Sequence, residues 1–139
     1  AYEISTRDWS SDVCSSDLRR ERSNTPLQSL QLMNDVQHFE AARCLAERTL
    51  KESPQDDNAS IDRLFRWVLA RTPDPYERGQ LNTYLQKTRE RLSINPEDAI
   101  KIANSGERWR DTSLPPEQVA VWTLLSNLVL NLDETITRN

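Results

Sequence analysis

The chain has 139 residues and a formal net charge of -4. These values suit one domain with a modest core and exclude a basic surface built to hold nucleic acid. Gly79 and Gly106 are its only glycines, which excludes the glycine-rich loops that cradle nucleotide phosphates. Polar residues interrupt the longest apolar run, residues 119–132, so the sequence predicts no membrane span.

The first 18 residues differ from the rest of the chain. They contain the near repeat SSDV and SSDL, follow neither a helical nor a strand period, and carry four acidic residues against one arginine. We interpret residues 1–18 as a non-native leader resembling a translated sequencing adapter, and the alternative is an ordinary disordered tail. Residues 19–139 then form the folded domain.

Helix signals begin in the stretch SNTPLQSLQLMND, residues 23–35. Thr25 is a capping residue, Pro26 suits the first helical position, and Gln28 completes a capping box. This stretch therefore predicts the start of the first helix.

The next two helices follow directly. Asn34 and Asp35 supply a stop and a new cap for a helix over residues 36–51, whose apolar residues recur at steps of three and four. The same spacing predicts a third helix from about residue 58 to Leu69.

Two more helices and a loop come next. Asp74, Pro75 and Glu77 repeat the order of capping residue, proline and acidic residue, and start a helix that runs to about residue 91, with Tyr76 on its apolar side. A short helix begins at Asn95-Pro96, and NSGERWRDTS, residues 104–113, is a loop.

The last helix begins at Pro115-Pro116 and is apolar over much of its circumference, so we expect it at the centre of a bundle. Alternating strand-like runs are scarce. We therefore predict an all-α fold, an irregular bundle of five or six helices around a central C-terminal helix.

Residues suited to catalysis are few. His38 is the only histidine, it lies in a helical stretch, and neither Cys14 nor Cys44 belongs to a CxxC or CxxCH motif. Cys44 lies among alanine and leucine and is interpreted as a small buried residue. We predict no catalytic residue, no bound cofactor and no metal site in this chain.

Four residues are candidates for contacts with a ligand or another domain. Trp109 lies in a polar loop between two arginines, whereas Trp67 falls in an apolar helix and is predicted to lie in the core. Asp133 and Glu134 lie near a helix end, where the helix dipole does not favour them. Arg71 follows a helix C-terminus, where a cation is stabilising.

Four arginines would form an anion site if the fold gathered them: Arg66, Arg71, Arg78 and Arg89.

Three ordered blocks of the sequence resemble a known family. They are RSNTPLQSLQLMNDVQHFEAARCLAERTL, IDRLFRWVLARTPDPYERGQL and VWTLLSNLVLNLDETITRN. Together they are similar to the C-terminal domain of unknown function 1553, the planctomycete secreted domain. The likeness covers residues 19–139.

The resemblance implies a context. Members of that family are large exported bacterial proteins in which this domain follows another uncharacterised domain, and often a cytochrome c-like segment with CxxCH. We therefore expect the last part of a longer polypeptide, located in the periplasm or outside the cell, in which haem c belongs to the upstream part. No catalytic residues of the family are available to carry over.

The sequence leaves three functions open. The first is a non-catalytic module that docks onto upstream domains of the same polypeptide. The second is part of an enzyme site, completed by those domains and concerned with polysaccharide breakdown, to which Arg71, Trp109, Asp133 or Glu134 contributes. The third is a carbohydrate-binding module that uses Trp109. An exposed apolar patch, a cleft of ionisable residues with shifted pKa values, and an exposed tryptophan on a concave face would distinguish them.

Overall fold

The computed structural model describes residues 35–53 and 55–136. It contains six helices in this part of the chain and no strand: α1 (Val36–Glu52), α2 (Asp57–Leu69), α3 (Pro75–Ile94), α4 (Pro96–Ala103), α5 (Pro116–Leu130) and α6 (Asp133–Ile136). The all-α prediction is confirmed. The leader, residues 1–18, and the helix predicted from Pro26 lie outside the described residues.

Local capping chemistry explains where the helices start. The Asp35 carboxylate caps α1 by accepting a hydrogen bond from the backbone N–H of Gln37. The Asp56 carboxylate caps α2 by accepting hydrogen bonds from the N–H groups of Asn58 and Ala59. Asp74 and Glu77 form a reciprocal capping box at the start of α3. Prolines open α3, α4 and α5, where the missing N–H has no helical partner.

The C-terminal apolar helix lies at the centre of the bundle, as predicted. Nine of the 15 residues of α5 are buried, on all sides of the helix, and α5 contacts each of the other five helices. By contrast, α3 buries only one stripe, formed by Leu81, Leu85, Thr88 and Leu92. The remaining helices therefore form a layer around α5.

The contact between α1 and α5 is the most extensive in the bundle. Small residues on both helices are fully buried, including Ala42 and Ala46 on α1 and Ala120 on α5. The buried hydroxyl of Thr123 donates a hydrogen bond to the carbonyl of Val119 at 2.6 Å, which satisfies it within its own helix. Short side chains of this kind allow two helix backbones to approach closely.

Two aromatic residues differ from the predicted core. Tyr76, assigned to the apolar side of α3, is 75 % exposed, because it lies in the first turn, beyond the stripe that faces α5. Trp67 is only half-buried, and the Arg48 guanidinium lies 4.3 Å from its ring centroid. Trp122, in α5, is buried.

None of the helices in the described part of the chain is long and apolar enough to cross a bilayer.

The central position of α5 is testable by truncating two neighbouring leucines of that helix. Leu125→Ala is expected to lower the free energy of unfolding by about 2–5 kcal/mol, because Leu125 is fully buried and its truncation leaves a cavity. Leu124→Ala removes the same atoms from a half-buried position and should cost clearly less. Urea unfolding followed by circular dichroism measures both, and equal losses would contradict the central placement.

Candidate functional site

The segment between α4 and α5, residues 104–115, crosses α1 and is called the Trp109 loop here. Glu40 of α1 holds the backbone of this loop. Its Oε2 accepts a hydrogen bond from the N–H of Glu107 at 2.7 Å, and its Oε1 accepts one from the N–H of Arg108 at 3.2 Å. One carboxylate thus fixes two successive peptide groups of the loop.

A buried ion pair of α1 supplies the second attachment. Arg43 is fully buried, and its Nη1 donates to Oε1 of Glu47 at 2.7 Å. Its Nη2 donates to the carbonyl oxygen of Arg108 at 2.6 Å. Glu47 also accepts a hydrogen bond from the N–H of Asp111 at 3.4 Å. A buried charge is tolerated only when it is paired and hydrogen-bonded, so this arrangement ties the loop to α1.

The third attachment is electrostatic. Lys51, on α1, forms an ion pair with the Asp111 carboxylate, which also accepts hydrogen bonds from the hydroxyl and N–H of Ser113. The Lys51 ammonium first, and then Ser113, lower the pKa of Asp111 well below its usual range. The far end of the Trp109 loop is thereby fixed next to α1.

Gly106 allows the loop to approach Glu40. Its φ is +96°, a conformation that favours glycine, and a Cβ atom at this position would lie 2.7 Å from Glu40 Oε2. The close contact between the loop and the carboxylate therefore depends on the absence of a side chain.

Trp109 lies between these attachments and points into solvent. Its side chain is 93 % exposed, the highest value among the large apolar residues that the structure describes as exposed. Arg108, on one side of it, is exposed, and Arg110, on the other, is half-buried. The fold therefore presents a large aromatic side chain on a backbone fixed at several points.

A groove adjoins the Trp109 loop. It has a volume of about 440 Å³ and is lined by Cys44, Leu45, Glu47, Arg48, Lys51 and Arg108. Cys44 was predicted to be buried, but it is half-buried in the wall of this groove, and its Sγ lies 3.6 Å from Nη1 of Arg108. Ala42 and Ala46 of α1 face the core instead, because Cys44 lies off the buried stripe.

A second polar cluster joins two of the four candidate contact residues. Arg71 forms a bidentate pair with Glu77, with both nitrogen–oxygen distances at 2.7 Å. The same guanidinium donates to Oε2 of Glu134 from Nε at 3.1 Å and from Nη2 at 2.7 Å. Arg71 thus ties the α2–α3 connection to α6.

This cluster changes the ionisation of its members. Hydrogen bonds from Arg71, together with the backbone N–H of Asp74, lower the pKa of Glu77 from 4.5 to about 2. The pKa of Arg71 is raised by its bonds to Glu77 and then Glu134. Both groups are therefore charged and mutually satisfied at neutral pH.

The four candidate contact residues are not gathered at one place. No hydrogen bond or ion pair between described residues joins Trp109 to the Arg71 cluster, so the four candidates do not form one site. The side chain of Asp133 lies outside the described part. The arginines do not form the anion site considered above, because they pair with separate carboxylates. Arg78 pairs with Asp62 at 2.6 Å, and Arg89 forms a bidentate pair with Asp57.

Across residues 35–53 and 55–136, no three histidine, cysteine, aspartate or glutamate side chains gather closely enough to bind a metal ion.

Sequence reasoning missed the α1 residues that hold the loop. The available signals were an arginine and a glutamate at i, i+4, Arg43 and Glu47, beside the buried stripe, and a glycine in the loop, one of only two in the chain. These signals predict a buried ion pair on α1 and a turn at Gly106. They do not predict that the loop containing this turn packs against the ion pair.

One comparison with known proteins identifies a relationship. A family model described as "PSD1: Protein of unknown function (DUF1553)" matches residues 5–85. No curated protein and no solved structure matches the chain. The family resemblance is thereby confirmed; the match begins within residues 1–18 and ends before the third sequence block, residues 121–139.

Removal of the buried guanidinium should destabilise the domain and release the loop. Arg43→Ala leaves Glu47 and the Arg108 carbonyl without their partner, at a cost of about 3–5 kcal/mol. Arg48→Ala, one turn further along α1 and exposed, should cost less than about 1 kcal/mol. Urea unfolding measures the loss, and amide hydrogen exchange at residues 107–111 reports on the loop. An Arg43→Ala variant with wild-type stability and exchange would contradict the proposed attachment.

The Arg71 cluster makes stability depend on pH. Because the pKa of Glu77 is about 2 in the folded chain and about 4.5 when unfolded, its contribution is present above about pH 4.5 and is lost as the pH falls toward 2. Glu77→Gln should therefore lower the free energy of unfolding at pH 7 and flatten its decline between pH 4.5 and pH 2.

The matched control is Glu90→Gln, an exposed carboxylate on the same helix. It should leave both the neutral-pH stability and the acid slope close to wild type. Urea unfolding across this pH range gives both quantities. Parallel curves for wild type and Glu77→Gln would show that the ion pair contributes nothing.

Proposed function

The chain belongs to the PSD1 family of proteins of unknown function (DUF1553), and within it we propose that the chain is a non-catalytic helical interaction module of a larger exported polypeptide. Its role is to dock onto other domains of that polypeptide. The Trp109 loop is the contact that we assign to it.

The observation that carries this proposal is the exposure of Trp109 on a fixed loop. Burying an apolar side chain of this size on contact with a partner is strongly favourable, and tryptophan and arginine are enriched among the residues that dominate binding energy. Because Glu40, Arg43 and Glu47 hold the loop before any partner arrives, little conformational entropy is lost on binding. The loop is thus pre-organised for association.

The ionisable residues favour a binding role over acid–base catalysis. A general acid or base works best with a pKa near the operating pH. Glu77 has a pKa of about 2 and is fully engaged by Arg71 and the capping box. The cluster at Arg71 therefore acts as a tie between helices rather than as a reactive group.

The family resemblance supplies the context of the proposal. The docking target is the upstream part of the same polypeptide, for which the resemblance implies another uncharacterised domain and, as in many family members, a cytochrome c-like segment that would hold haem c. The location that we propose is the periplasm or the outside of the cell. This chain would then orient or stabilise its neighbours without binding a cofactor of its own.

Carbohydrate binding is the second candidate, and the same exposed tryptophan favours it. Trp109 has a free aromatic face beside a groove with hydrogen-bonding side chains, an arrangement that suits a sugar ring. Retardation of the 139-residue chain in native gels containing a polysaccharide, lost in Trp109→Ala, would favour this candidate over docking.

The docking proposal is tested in the longer polypeptide that contains this chain. After proteolysis at the upstream junction, the helical module is expected to co-elute with the upstream domains in size-exclusion chromatography. Trp109→Ala should weaken that association at least tenfold, because it removes the main anchor.

Tyr76→Ala is the matched control, since it truncates another exposed aromatic side chain away from the loop. It should leave co-elution unchanged. The proposal fails if the fragments separate in the wild type, or if the two substitutions act alike.

A further inference from the structure

We infer that the groove beside the Trp109 loop accepts an acidic, extended segment of the upstream domains of the same polypeptide, whose carboxylates pair with Arg48 and Arg108 while an apolar residue packs on Trp109. The inference rests on the proposed function, because it names the partner chemistry of the same surface. Two observations support it: positive side chains outnumber negative ones in the groove lining, and Arg48 and Arg108 keep hydrogen-bond donors available.

The groove presents more positive than negative charge. Arg48, Lys51 and Arg108 line it, and Glu47 is its one carboxylate. That carboxylate is already engaged by the guanidinium of Arg43 and the N–H of Asp111. Of the three cations, Lys51 is paired with Asp111, so an incoming carboxylate would pair with Arg48 and Arg108.

Two of the cations retain capacity for a new partner. The Arg108 side chain contacts only the Cys44 sulfur, at 3.6 Å, among the hydrogen-bonding groups that the structure describes. Arg48 makes a long contact of 3.3 Å with Glu52, a carboxylate that also accepts a bond from Arg63 at 3.0 Å. Each guanidinium has five N–H donors, so both can accommodate a carboxylate.

Arg48 is also held in place before binding. Its guanidinium stacks on the Trp67 ring, with 4.3 Å between Cζ and the ring centroid. Stacking covers one face of the guanidinium and leaves its edge free for in-plane hydrogen bonds, the geometry that suits a carboxylate. The half-buried Trp67 ring therefore positions the Arg48 guanidinium.

The groove wall and the tryptophan are linked through adjacent residues of the Trp109 loop. Arg108 belongs to the groove wall and precedes Trp109 in the fixed loop. A volume of about 440 Å³ accommodates a few side chains. Three cations in a chain of net charge -4 are too few for a nucleic acid, which requires many phosphate contacts. A protein segment with carboxylates and one apolar side chain matches the surface best.

The test uses the 139-residue chain and a synthetic peptide of alternating glutamate and serine with one central leucine. Isothermal titration calorimetry should detect its binding, and a peptide with glutamine in place of glutamate should bind at least tenfold more weakly. Arg48→Gln and Arg108→Gln should each weaken binding of the glutamate peptide about tenfold, as expected for loss of a charge-assisted hydrogen bond.

Arg91→Gln is the matched control, since it removes an exposed arginine at the far end of α3, and it should leave binding unchanged. Unaltered urea unfolding of all three variants would show that the fold is intact. Equal binding of the two peptides, no binding of the glutamate peptide, or binding of heparin oligosaccharide alone would overturn the inference.

The two proposals fail in different ways. If Trp109→Ala abolishes co-elution with the upstream domains but Arg48→Gln and Arg108→Gln do not, the docking function stands and the acidic partner is wrong. If co-elution is insensitive to Trp109 as well, the docking function itself is wrong.

Discussion

The fold depends on one constraint, which is that α5 must be buried on nearly every side. A helix of this composition loses stability wherever it meets water, so the other helices are arranged around it as a layer. The closest partner is α1, whose alanines allow its backbone to approach α5. The face of α1 that carries Glu40, Arg43 and Glu47 is covered by the Trp109 loop instead.

The Trp109 loop shows how an irregular segment can be made rigid without a disulfide or a metal ion among the described residues. Glu40 and Arg43, one turn apart on α1, bind successive backbone groups of the loop from the two sides of Arg108. Burial strengthens the contact of Arg43, because water competes poorly for a guanidinium with no exposed surface. The consequence is an exposed aromatic side chain whose backbone is fixed, which distinguishes Trp109 from an apolar residue that is exposed by chance.

Much of the fold follows from local rules and could be read from the sequence. Asp35 and Asp74 mark helix starts through hydrogen bonds within a few residues, and the prolines that open α4 and α5 mark them because they lack an N–H. The composition of α5 predicts its central position. The attachments of the loop could not be read in this way. Arg43 and Arg108 are 65 residues apart, and periodicity does not reveal which distant carbonyl satisfies a buried charge. The exposure of Tyr76 was missed for a related reason, since spacing alone does not show where a helix leaves the core.

The most direct test of the interaction account is the solvent exposure of Trp109 in two contexts. The 139-residue chain and the longer polypeptide proposed to contain it would be labelled with 5-fluorotryptophan, and the Trp109 resonance would be assigned with a Trp109→Phe variant. The solvent isotope shift of that ¹⁹F signal between H₂O and D₂O reports on its contact with water. The account predicts a large shift in the chain alone and a much smaller one in the longer polypeptide. An equal shift in both would contradict the claim that this loop is a docking surface.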